Sequence, residues 1–210
     1  MTRRTPPDRH RSTARGVALG LTALAGVVAA LRQRREAREV RAGRRTPAGP
    51  DGDPEPTRRP GAVARRAGAW TPEPPRTPLG RAAAAAWAAP LTAVGFVVAF
   101  AGGAVPRRDR TRDCWVALGV GGPSRAALGA VGAAANTIGR VVIVRGTTAS
   151  EALLDHEATH VRQAERLGPL LPLAYAWSGA RYGYADNPLE RSARAGARRA
   201  ADLRRARAAG

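Results

Sequence analysis

The run His156-Glu157-Ala158-Thr159-His160 constrains this chain more than any other stretch. On a helix, histidines four positions apart lie about 40° apart around the axis, so both rings can reach one ion. A glutamate beside the first histidine can then hold the water that such an ion activates. The chain has three histidines, and two of them are here. On a helical wheel Leu153, His156, Glu157, His160, Ala164 and Leu167 share one side, flanked by Leu154 and Val161, with Gln163 at the border. Asp155, Thr159, Arg162, Glu165 and Arg166 take the other. The motif is therefore expected to face the protein interior, and the second set to face solvent. Histidine and glutamate buried without partners cost on the order of several kcal/mol, and a metal supplies the partner. The competing reading is a chance match on a charged surface helix, which puts the same side chains on the solvated face.

Charge narrows the partners. All 35 basic residues are arginine, against 16 acidic ones, for a net charge of +19. With no lysine and an excess of alanine, this reads first as the coding bias of a GC-rich genome. Aromatic residues make up 4%, too few for a base-stacking surface, so no specific nucleic-acid partner is expected. Cys114 is the lone cysteine, which excludes an intrachain disulfide. The sequence gives no reading of the oligomeric state.

Residues 1–15 form a basic tail expected to be disordered, with His10 solvated. Residues 16–31 are an apolar segment that reads as a short anchor, a signal peptide or a soluble helix. Residues 32–80 are Arg/Pro/Gly-rich, with turn formers at Gly49 to Pro54 and Thr71 to Pro75, and read as a disordered linker. Residues 82–105 carry no charge and, as a helix, would extend about 36 Å against a hydrocarbon core of about 30 Å. They are expected to be a transmembrane helix; a buried core helix is the other possibility. Arginines balance across its ends and leave the orientation unread.

The domain that carries the motif is expected over residues 110–203. Cys114 to Val120 reads as a short strand, and Arg140 to Arg145 as a clearer one, with four consecutive β-branched residues. Ser124 to Asn136 has no assignable pattern. Thr148 to Glu151 reads as a capping box that opens the motif helix, which Gly168-Pro169 ends. Leu167 to Ala180 is apolar but too short to cross a bilayer, and an Ala/Arg helix follows Asp186-Asn187-Pro188-Leu189-Glu190.

A catalytic zinc site usually has three protein ligands and an open position. No histidine follows His160, and Glu165 lies about 140° away from it on the same helix. Glu190 is the chosen third ligand. It has a second reading as a helix cap, because Asn187, Pro188 and Glu190 occupy the first positions of the next helix. The arrangement resembles the gluzincin branch of the zincin metallopeptidases. More narrowly, HEATHVRQ followed by DNPLERSA resembles bacterial metallopeptidase candidates that carry HExxHVxQ and a later NPxExxA. The resemblance covers about residues 110–200. It implies a small α+β zincin-like fold, zinc as cofactor, His156, His160 and Glu190 as ligands, and Glu157 as general base. Gluzincins commonly have an aspartate four residues after the glutamate ligand, where this chain has Arg194; Asp186 is the alternative residue to orient a histidine.

The expected function is a membrane-associated zinc metallopeptidase of a bacterial inner membrane, acting on a peptide or protein substrate. Tyr175, Tyr182, Tyr184 and Arg181 are candidate oxyanion donors, and the zincin resemblance implies that the strand Val141 to Val144 aligns an extended substrate by edge pairing. The alternatives are a membrane-anchored zinc protein without catalysis and an arginine-rich binder of polyanions or anionic lipid.

Overall fold

The computed structural model describes residues 9–46 and 59–210, with side chains from Leu24 onward. The first eight residues, the turn formers at Gly49 to Pro54 and the side chain of His10 lie outside that description.

A four-stranded sheet forms the middle layer. Its strands are β1 (Arg107–Asp109), β2 (Cys114–Ala117), β3 (Ala135–Ile138) and β4 (Val141–Val144), in the order β1-β2-β4-β3. β2 and β4 are parallel, and the two outer pairs are antiparallel. Alternate residues of β4 serve opposite faces. Val141 and Ile143 join Ala99, Val120 and Leu128 on one side; Val142 and Val144 join Cys114, Leu153 and Val161 on the other. Burial on both faces explains the unbroken Val-Val-Ile-Val run. It also overturns one expectation: β4 is interior and cannot pair with a substrate, and the free edge on that side belongs to β3.

Seven α-helices complete the described architecture: α1 (Arg9–Arg41), α2 (Ala62–Gly68), α3 (Pro78–Ala101), α4 (Gly122–Val131), α5 (Glu151–Leu167), α6 (Leu171–Tyr182) and α7 (Pro188–Ala208). The unassigned stretch after Pro123 thus contains most of α4 and the start of β3. α1 extends beyond the apolar segment at both ends, so the first residues of the expected linker are helical. The last part of that linker is also ordered: α2 packs on α7, and Glu73 pairs with Arg199 at 3.1 Å.

α3 starts at Pro78, capped by Thr77, whose Oγ1 accepts the Gly80 N–H at 3.0 Å. Ala88, Gly95 and Ala99 form its buried stripe, and Thr92 Oγ1 accepts the Arg140 N–H at 3.1 Å. A Cβ on Gly95 would stand 2.5 Å from the Ile138 carbonyl oxygen, so only glycine allows this helix so close to the sheet. Its opposite side is apolar and exposed, with Leu79, Val94, Val97 and Phe100 turned outward. α3 is the one described helix long and apolar enough to cross a membrane.

α5 carries the motif and is buried on nearly every side. Ser150 is its cap, accepting the Leu153 N–H at 3.0 Å, so the expected box starting at Thr148 is displaced by two residues. Gly168 ends it at φ 51°, in the left-handed region, with the Trp87 ring where a side chain would stand. The face expected in solvent is instead covered by ion pairs. Arg112 reaches Asp155 at 2.8 Å and Glu151 at 2.5 Å, and Arg162 reaches Glu165 at 2.6 Å. Arg140 meets Glu165 at 3.0 Å and Arg204 of α7 meets Asp155 at 2.5 Å. A wheel pattern treats charge as a mark of solvent, but opposite charges from the β1–β2 turn and α7 made this face a second interior.

Candidate metal centre

α5 presents His156 and His160 one turn apart, and α7 brings Glu190 to them from its first turn. The start of α7 is set by Asn187, whose Oδ1 accepts the Leu189 N–H at 3.0 Å, and by Pro188, which has no N–H to satisfy. The Asn187 N–H donates to the Tyr184 carbonyl at 3.2 Å, so Glu190 is not drawn back to cap the helix. The Glu190 carboxylate faces α5.

His156 Nε2 and His160 Nε2 are 3.2 Å apart. His156 Nε2 lies 3.2 Å from Glu190 Oε2, and His160 Nε2 lies 3.3 Å from Glu190 Oε1. Ligands held about 2.0–2.1 Å from a tetrahedral ion stand about 3.3–3.4 Å from one another. Each of the three spacings is close to that separation, with Glu190 turning a different oxygen to each ring. Glu190 is 2% exposed, His156 7% and His160 8%, and Glu190 Oε2 is buried with no hydrogen-bond partner. An orphaned carboxylate oxygen beside two imidazole nitrogens is what a cation would satisfy. The three residues could hold a metal ion, and two nitrogens plus one carboxylate suit zinc.

Without an ion, a proton takes its place. Burial works to lower the His160 pKa, but the Glu190 carboxylate outweighs it and holds the ring up at about 9. Burial likewise works to raise Glu190, yet the charge on His160 and the closeness of both rings hold its carboxyl well below the usual range.

Two residues that the sequence reading passed over orient the set. Gln163 Oε1 lies 2.8 Å from His160 Nδ1, while Gln163 Nε2 donates to the Leu189 carbonyl at 3.1 Å and to Ser192 Oγ at 3.0 Å. The amide nitrogen is committed to α7, so its oxygen must accept from His160 Nδ1, which leaves Nε2 free to bind a metal. Thr137 Oγ1 on β3 donates to Glu157 Oε2 at 2.6 Å, and Glu157 is itself buried. Gln163 had a signal, as the last letter of HEATHVRQ. Thr137 had none, since it lies between the unpatterned Ser124 to Asn136 and the strand that starts at Arg140.

The other candidates separate. Tyr175 on α6 donates its hydroxyl to Glu190 Oε1 at 2.6 Å, and its ring centre is 6.2 Å from that of His160. Asp186 stands 3.6 Å from Arg191, Arg181 lies over the Tyr182 ring, and the Tyr184 N–H donates to Glu36 at 3.2 Å. Arg194, the departure from the gluzincin pattern, is buried and donates to the Ala185 carbonyl, bracing the link between α6 and α7. Cys114 is enclosed between the sheet and α5, where burial pushes its thiol up to about 11, so it offers no thiolate.

Residues 113–168 match the eCIS core domain family. That family is zincin-like and carries HExxH, which supports the zincin resemblance at the coarse level. The eCIS core match runs from the β1–β2 turn to the C-cap of α5. It therefore includes His156, Glu157, His160 and Gln163 and stops short of Tyr175 and Glu190. No curated protein and no solved structure matches the chain.

Proposed function

We propose that the protein is a membrane-associated zinc metallopeptidase, with His156, His160 and Glu190 as zinc ligands and Glu157 as general base. The observation that carries this reading is the buried cluster of His156 Nε2, His160 Nε2 and the Glu190 carboxylate, with contacts of 3.2, 3.2 and 3.3 Å and a carboxylate oxygen that has no other partner. The eCIS core match supports it over the stretch that holds the motif.

Zinc bound there would lower the pKa of a coordinated water toward neutrality and polarise a scissile carbonyl. Glu157 has one oxygen occupied by Thr137, so its other oxygen is left to take the water proton and return it to the departing amine. Tyr175 holds Glu190 in the resting site, and its hydroxyl is the nearest candidate to donate to the developing oxyanion. The open edge of β3, next to Thr137, is where an extended peptide would add as a strand.

α3 supports the membrane part of the reading. Its inner stripe is fixed to the sheet, so in this arrangement its apolar outer side would lie along a lipid surface rather than pass through it with the domain left behind. Elemental analysis of the purified full chain tests the zinc reading: about one zinc per chain is expected, lost in His160→Ala and in Glu190→Ala. Bound zinc with no peptide hydrolysis under any condition would turn the reading to a zinc-holding protein without catalysis.

A further inference from the structure

The arginines around the sheet fall into two groups. Arg108, Arg112, Arg140 and Arg162 each meet a carboxylate. Arg125 of α4 and Arg145, just past β4, pair with no carboxylate among the described residues. Arg125 donates to the Arg145 carbonyl at 2.9 Å, which sets the two residues side by side. The Arg145 guanidinium lies along Gly129, where a Cβ would stand 3.7 Å from its Nη1. With Gly122 and Ala126, these residues line a groove of about 400 Å³. It lies on the α4 side of the sheet, whereas the histidine helix α5 packs on the other side.

The groove stands at the end of the apolar helix. The Gly121 N–H donates to the Gly102 carbonyl at 2.7 Å, and Ser124 Oγ donates to the Val98 carbonyl at 2.8 Å. Gly122, which lines the groove, backs on the Ala101 carbonyl, with 3.9 Å between that oxygen and the place of a Cβ. Around the axis of α3, Ala101 is about 20° from Val94 and about 40° from Val97. All three are exposed, on the outward side of the helix. The apolar side of α3 therefore runs directly into a groove carrying two guanidinium groups.

An apolar face continuous with unpaired cations is complementary to acyl chains beneath an anionic headgroup. A phosphodiester spreads one charge over two free oxygens, and each planar guanidinium can offer it two parallel N–H donors. We propose that this groove receives the headgroup phosphate of an anionic phospholipid while the outward side of α3 meets the acyl region. The proposal rests on the membrane part of the functional reading and is independent of zinc.

Sedimentation of the full chain with vesicles tests it, using phosphatidylcholine alone and phosphatidylcholine mixed with phosphatidylglycerol. The wild type should bind the mixed vesicles more tightly. Arg125→Gln combined with Arg145→Gln should weaken that binding by about 30-fold, since each arginine near an anionic surface contributes about fivefold. Arg198→Gln combined with Arg207→Gln removes the same charge from α7 and should change it by less than about twofold. Gly129→Glu keeps both arginines and their mutual hydrogen bond, sets a carboxylate beside Arg145, and should weaken binding as the first pair does.

Equal losses in the two arginine pairs would mean diffuse attraction by net charge and overturn the groove. Full binding by the Arg125/Arg145 pair or by Gly129→Glu would overturn it too, while leaving the membrane reading intact. A wild type that binds neither vesicle overturns both. Inorganic phosphate, titrated by calorimetry, separates the remaining source: it should bind weakly and not displace the protein from mixed vesicles. Tight phosphate binding that the Arg125/Arg145 pair loses, together with displacement from the vesicles, would make the groove a site for free phosphate and overturn the headgroup assignment.

Discussion

Gln163 fixes the tautomer of His160. Its amide oxygen is 2.8 Å from His160 Nδ1, and its amide nitrogen is anchored on Leu189 and Ser192 of the helix that supplies Glu190. One side chain thus sets the proton position on one ligand and the placement of the helix bearing another.

Replacing Gln163 by Leu keeps the volume but removes both functions. Zinc affinity should fall by about 10–100-fold, as it does when partners that orient a metal-bound histidine are lost. Competition against a fluorescent chelator measures it, and an unchanged affinity would remove Gln163 from the orienting role.

Glu157→Gln keeps the hydrogen bond from Thr137 but cannot accept a proton. Peptide hydrolysis should be lost while zinc stays at about one per chain. Thr137→Val should lower kcat by about tenfold with the metal retained, because the carboxylate is no longer held. Hydrolysis surviving in Glu157→Gln would assign the base to another group.

The metal-free protein should lose stability on going alkaline. His160 has a folded pKa of about 9, above its ordinary value of 6.5, so its contribution is complete below about 6.5 and is lost as the pH rises through about 9. Glu190 works the other way, contributing above its ordinary 4.5 and losing that contribution as the pH falls toward its depressed folded value. Thermal melts of the metal-free protein should fall in Tm between pH 6.5 and 9, and excess zinc should reverse the decline. A flat profile would mean that the pair is not ionised as described.

Gly95→Val tests whether α3 belongs to the domain. The new side chain would meet the Ile138 carbonyl and Val141, and overpacking of this kind costs about 1–3 kcal/mol. Denaturant unfolding should show that loss, whereas Val97→Ala on the outer side should stay within about 0.5 kcal/mol. A neutral Gly95→Val would indicate that α3 leaves the sheet in solution.

Much of the site was legible because its chemistry is local. His156, Glu157 and His160 need only a helix to converge, and the helix is marked by Ser150 and Gly168. Glu190 could be named but not decided, since one carboxylate fits both a cap and a ligand; in the structure the Asn187 N–H bonds the Tyr184 carbonyl and the Glu190 carboxylate lies beside His156 and His160. The central strand was visible from its β-branched run, yet its interior position was not, because a buried run does not say which neighbour covers which edge. Charge misled at Asp155 and Glu165, whose partners Arg112, Arg204 and Arg140 lie far away in sequence. Small residues left Ser124 to Asn136 without an assignable pattern; its first part is helical, with Leu128 packed among Ala117, Val120, Val141 and Ile143.

The ion pairs on the outer side of α5 bear on how the proposed metal would be acquired. They hold the histidine helix against the β1–β2 turn and α7 without any contribution from the ligands. Assembly of the scaffold and loading of the centre are thus separate events. A chelator should leave a folded apoprotein that can be reloaded, unlike a zinc finger, in which metal and fold arrive together. On the zinc reading, the chain would be made, moved and stored inert, and armed by the first zinc it meets.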